Sequence, residues 1–184
     1  MGANEPLAAK AAAGDSVAFA ALVRQHQSHL RGFLMRMTKG NAALADDLAQ
    51  ETFLEAFRKI GQYGTGSFFG WLCAIAYSRY LMQARKRTLE SLDEAAEAAI
   101  PDEAPGAERT ATARIDLERA MAQLAPPQRA ALTLCFALGM TNEEAASAMG
   151  VPLGTLKSHV NRGREKLQYL LTDRRILPAT GTMP

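Results

Sequence analysis

The stretch MTNEEAASAMGVPLGTLKSHVNRGREKLQYLL, residues 140–171, constrains the fold more than any other part of the chain. Thr141 and Glu144 stand three apart, the spacing of a capping box, so a helix starts there. Gly150 ends it within about three turns. Ala145, Ala146 and Ala148 are small enough to let another helix approach closely. Val151-Pro152-Leu153 makes a tight connection, and a second helix is expected from Gly154 to Leu171. Two helices joined by so short a turn form a helix-turn-helix unit. In the second helix Leu156, Val160, Gly163, Leu167 and Leu170 recur at helical spacing and face a core. Thr155, Lys157, Ser158, Asn161, Arg162 and Lys166 lie around the rest of the barrel. Lysine and arginine suit phosphates or guanine, and asparagine suits adenine. The N-terminal end of such a helix is the part that enters a major groove.

The rest of the chain also reads as all-α, with no convincing period-two strand and no hairpin signal. Asp15 caps an expected helix from Ser16 to about Met37, and the Gly40-Asn41 pair breaks it. A second runs from about Leu44 to Ile60, with Leu48, Ala49, Phe53, Ala56, Phe57 and Ile60 on its apolar stripe. Gly61, Gly64 and Gly66 break the chain again before a third helix, Ser67 to Arg87. Further on, Ile115, Leu117, Met121 and Leu124 mark a helical stripe. Pro126-Pro127 stops that helix, and another follows from Gln128 to Leu138.

Charge divides the chain into three blocks. Residues 1–87 sum to +5, residues 88–113 to −6 and residues 114–184 to +3, giving the overall +2. Two basic helical modules, 1–87 and 113–184, therefore flank an acidic spacer, 88–112, rich in Ala and Glu and interrupted by Pro101 and Pro105. Basic modules favour a polyanionic partner.

Several function classes fall away. No apolar run approaches the roughly 20 residues that span a bilayer. The N-terminus lacks the pattern of a secretory signal, so a cytoplasmic protein without membrane insertion is expected. Cys73 and Cys135 belong to no CxxC pair and read as reduced, packed thiols. No phosphate-binding loop, GxSxG or HExxH motif is present, so no enzymatic activity is expected. His26 and His29 stand i, i+3 on a helix but have no further metal ligand in register, so they read as a solvated or partly packed pair. No cofactor or metal is expected.

Three strings carry a family resemblance. LAPPQRAALTLCFALGMTNEEAASAMGVPLGTLKSHVNRGREKL resembles region 4 of bacterial sigma factors, especially the extracytoplasmic-function (ECF) group. ALADDLAQETFLEAFRKI resembles the DLxQExFLxAxR signature of sigma region 2.2, and FFGWLCAIA the FxxWLxxIA pattern of regions 2.3 and 2.4. The resemblance implies a transcription initiation factor. Its partners would be core RNA polymerase, promoter DNA and an anti-sigma factor. Asp47, Gln50, Glu51, Leu54 and Arg58 would dock on the clamp helices of the large polymerase subunit. Tyr63, Ser67, Tyr77, Arg79, Arg85, Lys86 and Arg87 would hold the melted minus-10 strand, with Gly61–Ser67 as a pocket for a flipped base. Aromatic rings among basic residues suit that task, since bases stack and phosphates pair. Thr155, Lys157, Ser158, His159, Asn161 and Arg162 would read the minus-35 element. Family members commonly carry arginine at His159, and Asn and Asp at Ser78 and Met82. The alternative, a stand-alone helix-turn-helix regulator, accounts for residues 113–171 and leaves the N-terminal strings without a role.

Overall fold

The computed structural model describes residues 5–64, 66–90 and 109–176. All regular structure among them is helical. Helix α1 spans Glu5–Ala12, α2 Ser16–Met37, α3 Ala42–Lys59, α4 Phe68–Glu90, α5 Arg109–Ala122, α6 Pro126–Leu132, α7 Asn142–Met149 and α8 Leu153–Ile176. A short 3-10 turn, Ile60–Gln62, follows α3, and a π-helical turn, Thr133–Ala137, extends α6. The centre of the acidic spacer, residues 91–108, lies outside the described residues. Its edges are helical: α4 continues past Arg87 to Glu90, and α5 begins at Arg109, four residues before the expected start of the second module.

Local chemistry sets the helix ends. The Asp15 carboxylate accepts from the backbone N–H groups of Val17 and Ala18 at 2.9 and 3.0 Å. The Asn41 side chain caps α3 through the Leu44 N–H at 3.0 Å. Each satisfies a donor that the first turn of a helix leaves orphaned. The capping box on α7 is closed in both directions. The Glu144 N–H donates to Thr141 Oγ1 at 3.1 Å, and the Thr141 N–H to Glu144 Oε2 at 2.9 Å. Gly150 ends α7 at φ +64°, a left-handed conformation that costs glycine little.

In the first module α2, α3 and α4 pack on one another around Leu22, Leu30, Phe33, Leu34, Ala45, Leu48, Phe68 and Leu72, all buried. Helix α1 has no counterpart in the sequence reading; it lays Ala8 and Ala11 against this core. In the second module α6, α7 and α8 enclose Ala130, Leu132, Leu134, Ala145, Met149 and Leu156. The two modules touch. Helix α4 packs on α7, and α2 meets α5 and α6, so one apolar cluster runs through both.

Two parts of the expected core lie outside it. Phe57 is 52% exposed, although its ring meets Phe19 edge-to-face at 5.0 Å. Buried Thr52 takes the inward place instead, returning its hydroxyl to the Leu48 carbonyl at 2.6 Å. Along α5 and the turn after it only the far end is covered: Ala120 and, two residues beyond the helix, Leu124 are buried, whereas Ile115 and Leu117 are exposed.

The two histidines differ: His26 is packed among aromatic rings, and His29 is exposed. His26 is buried and stacks on Phe69 at 5.1 Å, with Phe68 beside it, and His29 meets Phe69 edge-on. Burial, and then the neighbouring His29, lower the pKa of His26 below the ordinary 6.5. Below about pH 6.5 the unfolded chain therefore takes up a proton that the fold resists. Stability is lost as pH falls from there to the depressed folded value, and is unaffected by this group above it. The melting temperature is expected to drop between pH 7.5 and pH 5.5, and to drop less in His26→Phe. Equal drops in the two proteins would sink the assignment.

Candidate functional site

Three surfaces carry the residues singled out by sequence. On α3, Asp47, Gln50, Glu51, Leu54 and Arg58 are all exposed and follow one another at helical spacing. Leu54 is 57% exposed, and exposed Phe57 adds a second apolar group beside it. The opposite side of the helix is anchored by Ala45, Leu48, Thr52 and Ala56, which fixes this polar face outward.

The second surface spans the end of α3, the glycine-rich turn and α4. Tyr63 is half-buried; its hydroxyl donates to the Gly66 carbonyl at 2.5 Å, and its ring meets Phe68 and Trp71 edge-on. Gly66 sits at φ +110°, which the turn requires. The exposed Ser67 caps α4, its hydroxyl accepting from the Gly70 N–H at 3.1 Å. Phe68 is core and Trp71 is half-buried. Arg85, Lys86 and Arg87 are exposed at the far end of α4.

Two members of this set are otherwise engaged. Tyr77 is buried and stacks on Tyr80, with ring centres 6.5 Å apart. Burial, and then Tyr80, push its hydroxyl pKa up. Arg79 forms an ion pair with Glu55 and a second with Glu51 at 3.6 Å. Glu55 was not among the residues singled out. Its partners Lys59, at 2.6 Å, and Arg79 hold its carboxyl below the usual range. The i, i+4 spacing to Lys59 is the one signal of it in the sequence. Glu51 thus belongs to the exposed α3 face and to a cross-helix pair with α4 at once.

The third surface is the start of α8. Leu156, Val160 and Gly163 are buried, and Leu167 and Leu170 are half-buried. That inward stripe leaves Thr155, Lys157, Asn161 and Arg162 exposed, with Ser158 and His159 half-exposed. The helix starts one residue earlier than its sequence suggests, at Leu153, with the Leu156 N–H donating to the Pro152 carbonyl at 3.0 Å. Two exposed cations and two exposed polar groups thus stand on the outer face of the first three turns of α8, directly after a capped short helix.

Known families match both modules. Residues 22–90 match sigma-70 region 2, and residues 114–167 match sigma-70 region 4. The ECF RNA polymerase sigma factor EcfG of Rhodopseudomonas palustris is 39% identical over 77% of this chain and 78% of its own length. The RNA polymerase sigma factor CarQ of Myxococcus xanthus is 34% identical over 86% of this chain and 91% of its own. The chain belongs to the extracytoplasmic-function family of RNA polymerase sigma factors. Another relative, the ECF sigma factor SigE of Mycolicibacterium smegmatis, is 37% identical over 87% of this chain, and the match spans 65% of that protein's length.

Solved structures agree with this family. The sigma factor RpoE of Bartonella quintana, crystallised with the anti-sigma factor NepR, aligns with a TM-score of 0.69 at 30% identity, over 84% of this chain and 96% of its own. CnrH, solved with the cytosolic domain of CnrY, gives 0.70 at 25% identity, over 94% of this chain and 99% of its own. The region 2 match decides against a stand-alone regulator, which would leave residues 22–90 of this sigma factor without a role. No helix among the described residues is long and apolar enough to cross a membrane.

Proposed function

We propose that this sigma factor binds core RNA polymerase in the cytoplasm and directs it to promoters, using the three surfaces in separate roles. The observation that carries the reading is the coexistence of two of them in one chain: an exposed polar face with an apolar anchor on α3, and an exposed basic face opening α8. Asp47, Gln50, Glu51, Leu54 and Arg58 dock on the clamp helices of the large polymerase subunit. A polar rim around an apolar anchor suits a protein partner. Tyr63, Ser67 and the cations Arg85, Lys86 and Arg87 hold the unpaired minus-10 strand, while buried Tyr77 and ion-paired Arg79 act from within α4 by fixing its position. Holding an unstacked base binds the open state of the promoter more tightly than the closed one, so strand opening needs no ATP. Thr155, Lys157, Ser158, His159, Asn161 and Arg162 meet the minus-35 duplex. An anti-sigma factor is the expected protein antagonist, as for the related RpoE crystallised with NepR.

Run-off transcription with purified core polymerase tests the reading. Added protein is expected to direct discrete transcripts from host promoters, and to be captured by core polymerase. Capture failure would overturn the proposal. Arg162→Ala removes one exposed cation from α8, so promoter affinity should fall about tenfold or more, the worth of a good base contact. Capture by core polymerase should be unchanged. Loss of capture to the same degree would sink this division of labour.

A further inference from the structure

The outward face of α4 carries an apolar pair that none of the three surfaces uses. Ser78, Leu81, Met82, Arg85 and Lys86 are all exposed and follow one another at helical spacing, so they share one side of the helix. The other side is anchored by Cys73, Ala76 and Tyr77, which are buried, and by half-buried Tyr80 and Ala84. Leu81 is 42% exposed and Met82 62%. A lone exposed leucine is ordinary on a protein surface. Here two large apolar side chains stand together, with a hydroxyl one turn before them and two cations one turn after.

Charge says what this face meets. From Phe68 to Leu89, α4 carries Arg79, Arg85, Lys86 and Arg87 and no carboxylate. Glu51 and Glu55 of α3 are engaged by Arg79, itself only part-exposed. A basic helix face fits the phosphates of nucleic acid. The stretch from Ser78 to Lys86 runs about 12 Å along the helix axis, the width of a DNA major groove. Leucine has no hydrogen-bonding group, and the methionine thioether is only a weak acceptor. Neither can satisfy the amino and carbonyl edges of a G·C pair, and covering those edges leaves them without partners. The apolar group that a base pair presents in the major groove is the 5-methyl of thymine.

We propose that Leu81 and Met82 read thymine: they pack on the 5-methyl of a thymine at the still-paired edge of the minus-10 element, while Arg85 and Lys86 hold the adjoining phosphates. The inference deepens the promoter role proposed above and rests on it. It gives α4 a discriminating contact in the middle of a face whose cations bind any sequence alike.

Deoxyuridine differs from thymidine only by that methyl, so it isolates the contact. Holoenzyme assembled with core polymerase is titrated in a gel-shift assay against a promoter fragment mapped by run-off transcription, with each thymine of the minus-10 element replaced by uracil in turn. For the wild type, uracil at one or two of these positions should weaken binding about fourfold, which is what one buried methyl contributes. Leu81→Gln/Met82→Gln keeps helix propensity and replaces the apolar tips. It should bind the thymine and uracil fragments equally at those positions. A wild type indifferent to uracil at every thymine overturns the proposal, as does a methyl effect that the double variant retains, or a set of mapped promoters with no thymine there. Failure of the wild-type holoenzyme to bind any promoter fragment is a different result: it overturns the promoter role itself, and this inference with it.

Discussion

Leu54→Glu is expected to weaken capture by core polymerase about a hundredfold while leaving the fold intact. Leu54 is 57% exposed on α3, so the first module gains little from it. Substitution at so exposed a site changes stability by about 0.5 kcal/mol or less, and leucine and glutamate have nearly equal helix propensities. The cost falls on the complex. Burying a leucine side chain fully is worth about 1.5–3 kcal/mol, and truncating a central anchor commonly costs about 2 kcal/mol or more. A carboxylate buried at the proposed contact adds desolvation without a partner. A total near 3 kcal/mol is about two orders of magnitude in Kd. Fluorescence anisotropy of labelled protein titrated with core polymerase would measure it. Wild-type affinity in a folded Leu54→Glu protein would move the docking surface away from α3. Phe57 is the natural second site, since it is 52% exposed beside Leu54.

The legible parts of this chain were those whose physics is local. The Thr141–Glu144 box, the Asp15 cap and the left-handed Gly150 each depend on atoms a few residues apart, and each is where the sequence placed it. The inward stripe of α8 was legible for the same reason, because helical periodicity sorts Leu156, Val160 and Gly163 from Lys157, Asn161 and Arg162 without knowledge of the partner helix. Phe57 was not, because an apolar residue at the edge of a stripe is buried or exposed according to what lies opposite, and here its ring meets Phe19 yet stays 52% exposed. Glu55 and Arg79 stand on different helices, 24 positions apart, and only the crossing of α3 with α4 makes them partners. Buried Arg129, on α6, is the furthest from view. Its neighbours in sequence mark it as an early residue of a helix after two prolines, whereas its guanidinium donates to carbonyls at two helix ends, Ala122 of α5 and Met37 of α2, the latter 92 positions away. Helix α1 escaped because eight residues dominated by alanine give no apolar stripe to detect.

Gly163 tests how closely the helices of the second module must fit. It sits on the buried side of α8, where α8 crosses α6. A Cβ there would come within 2.9 Å of Leu132 Cδ1, 3.2 Å of its Cγ and 3.4 Å of Gln128 Cβ. Leu132 is only 4% exposed, so it has little room to turn aside. Two effects compete in Gly163→Ala. Helix propensity gains about 1 kcal/mol, and overpacking costs about 1–3 kcal/mol, so the net change should be small or unfavourable. Gly163→Val removes the ambiguity: two further carbons enter a filled space, and β-branching cancels much of the propensity gain. A loss of about 3 kcal/mol is expected. For a module of this size that lowers the melting temperature by roughly 10 °C or more. Promoter-directed transcription should fall with it, because the exposed face of α8 is aimed by this crossing, while capture by core polymerase through α3 should persist. A Gly163→Val protein that melts at the wild-type temperature would mean that α6 and α8 lie further apart than 2.9 Å implies. One that loses polymerase capture and promoter use together would tie the fold of α3 to that of α8, as the continuous apolar cluster through both modules allows.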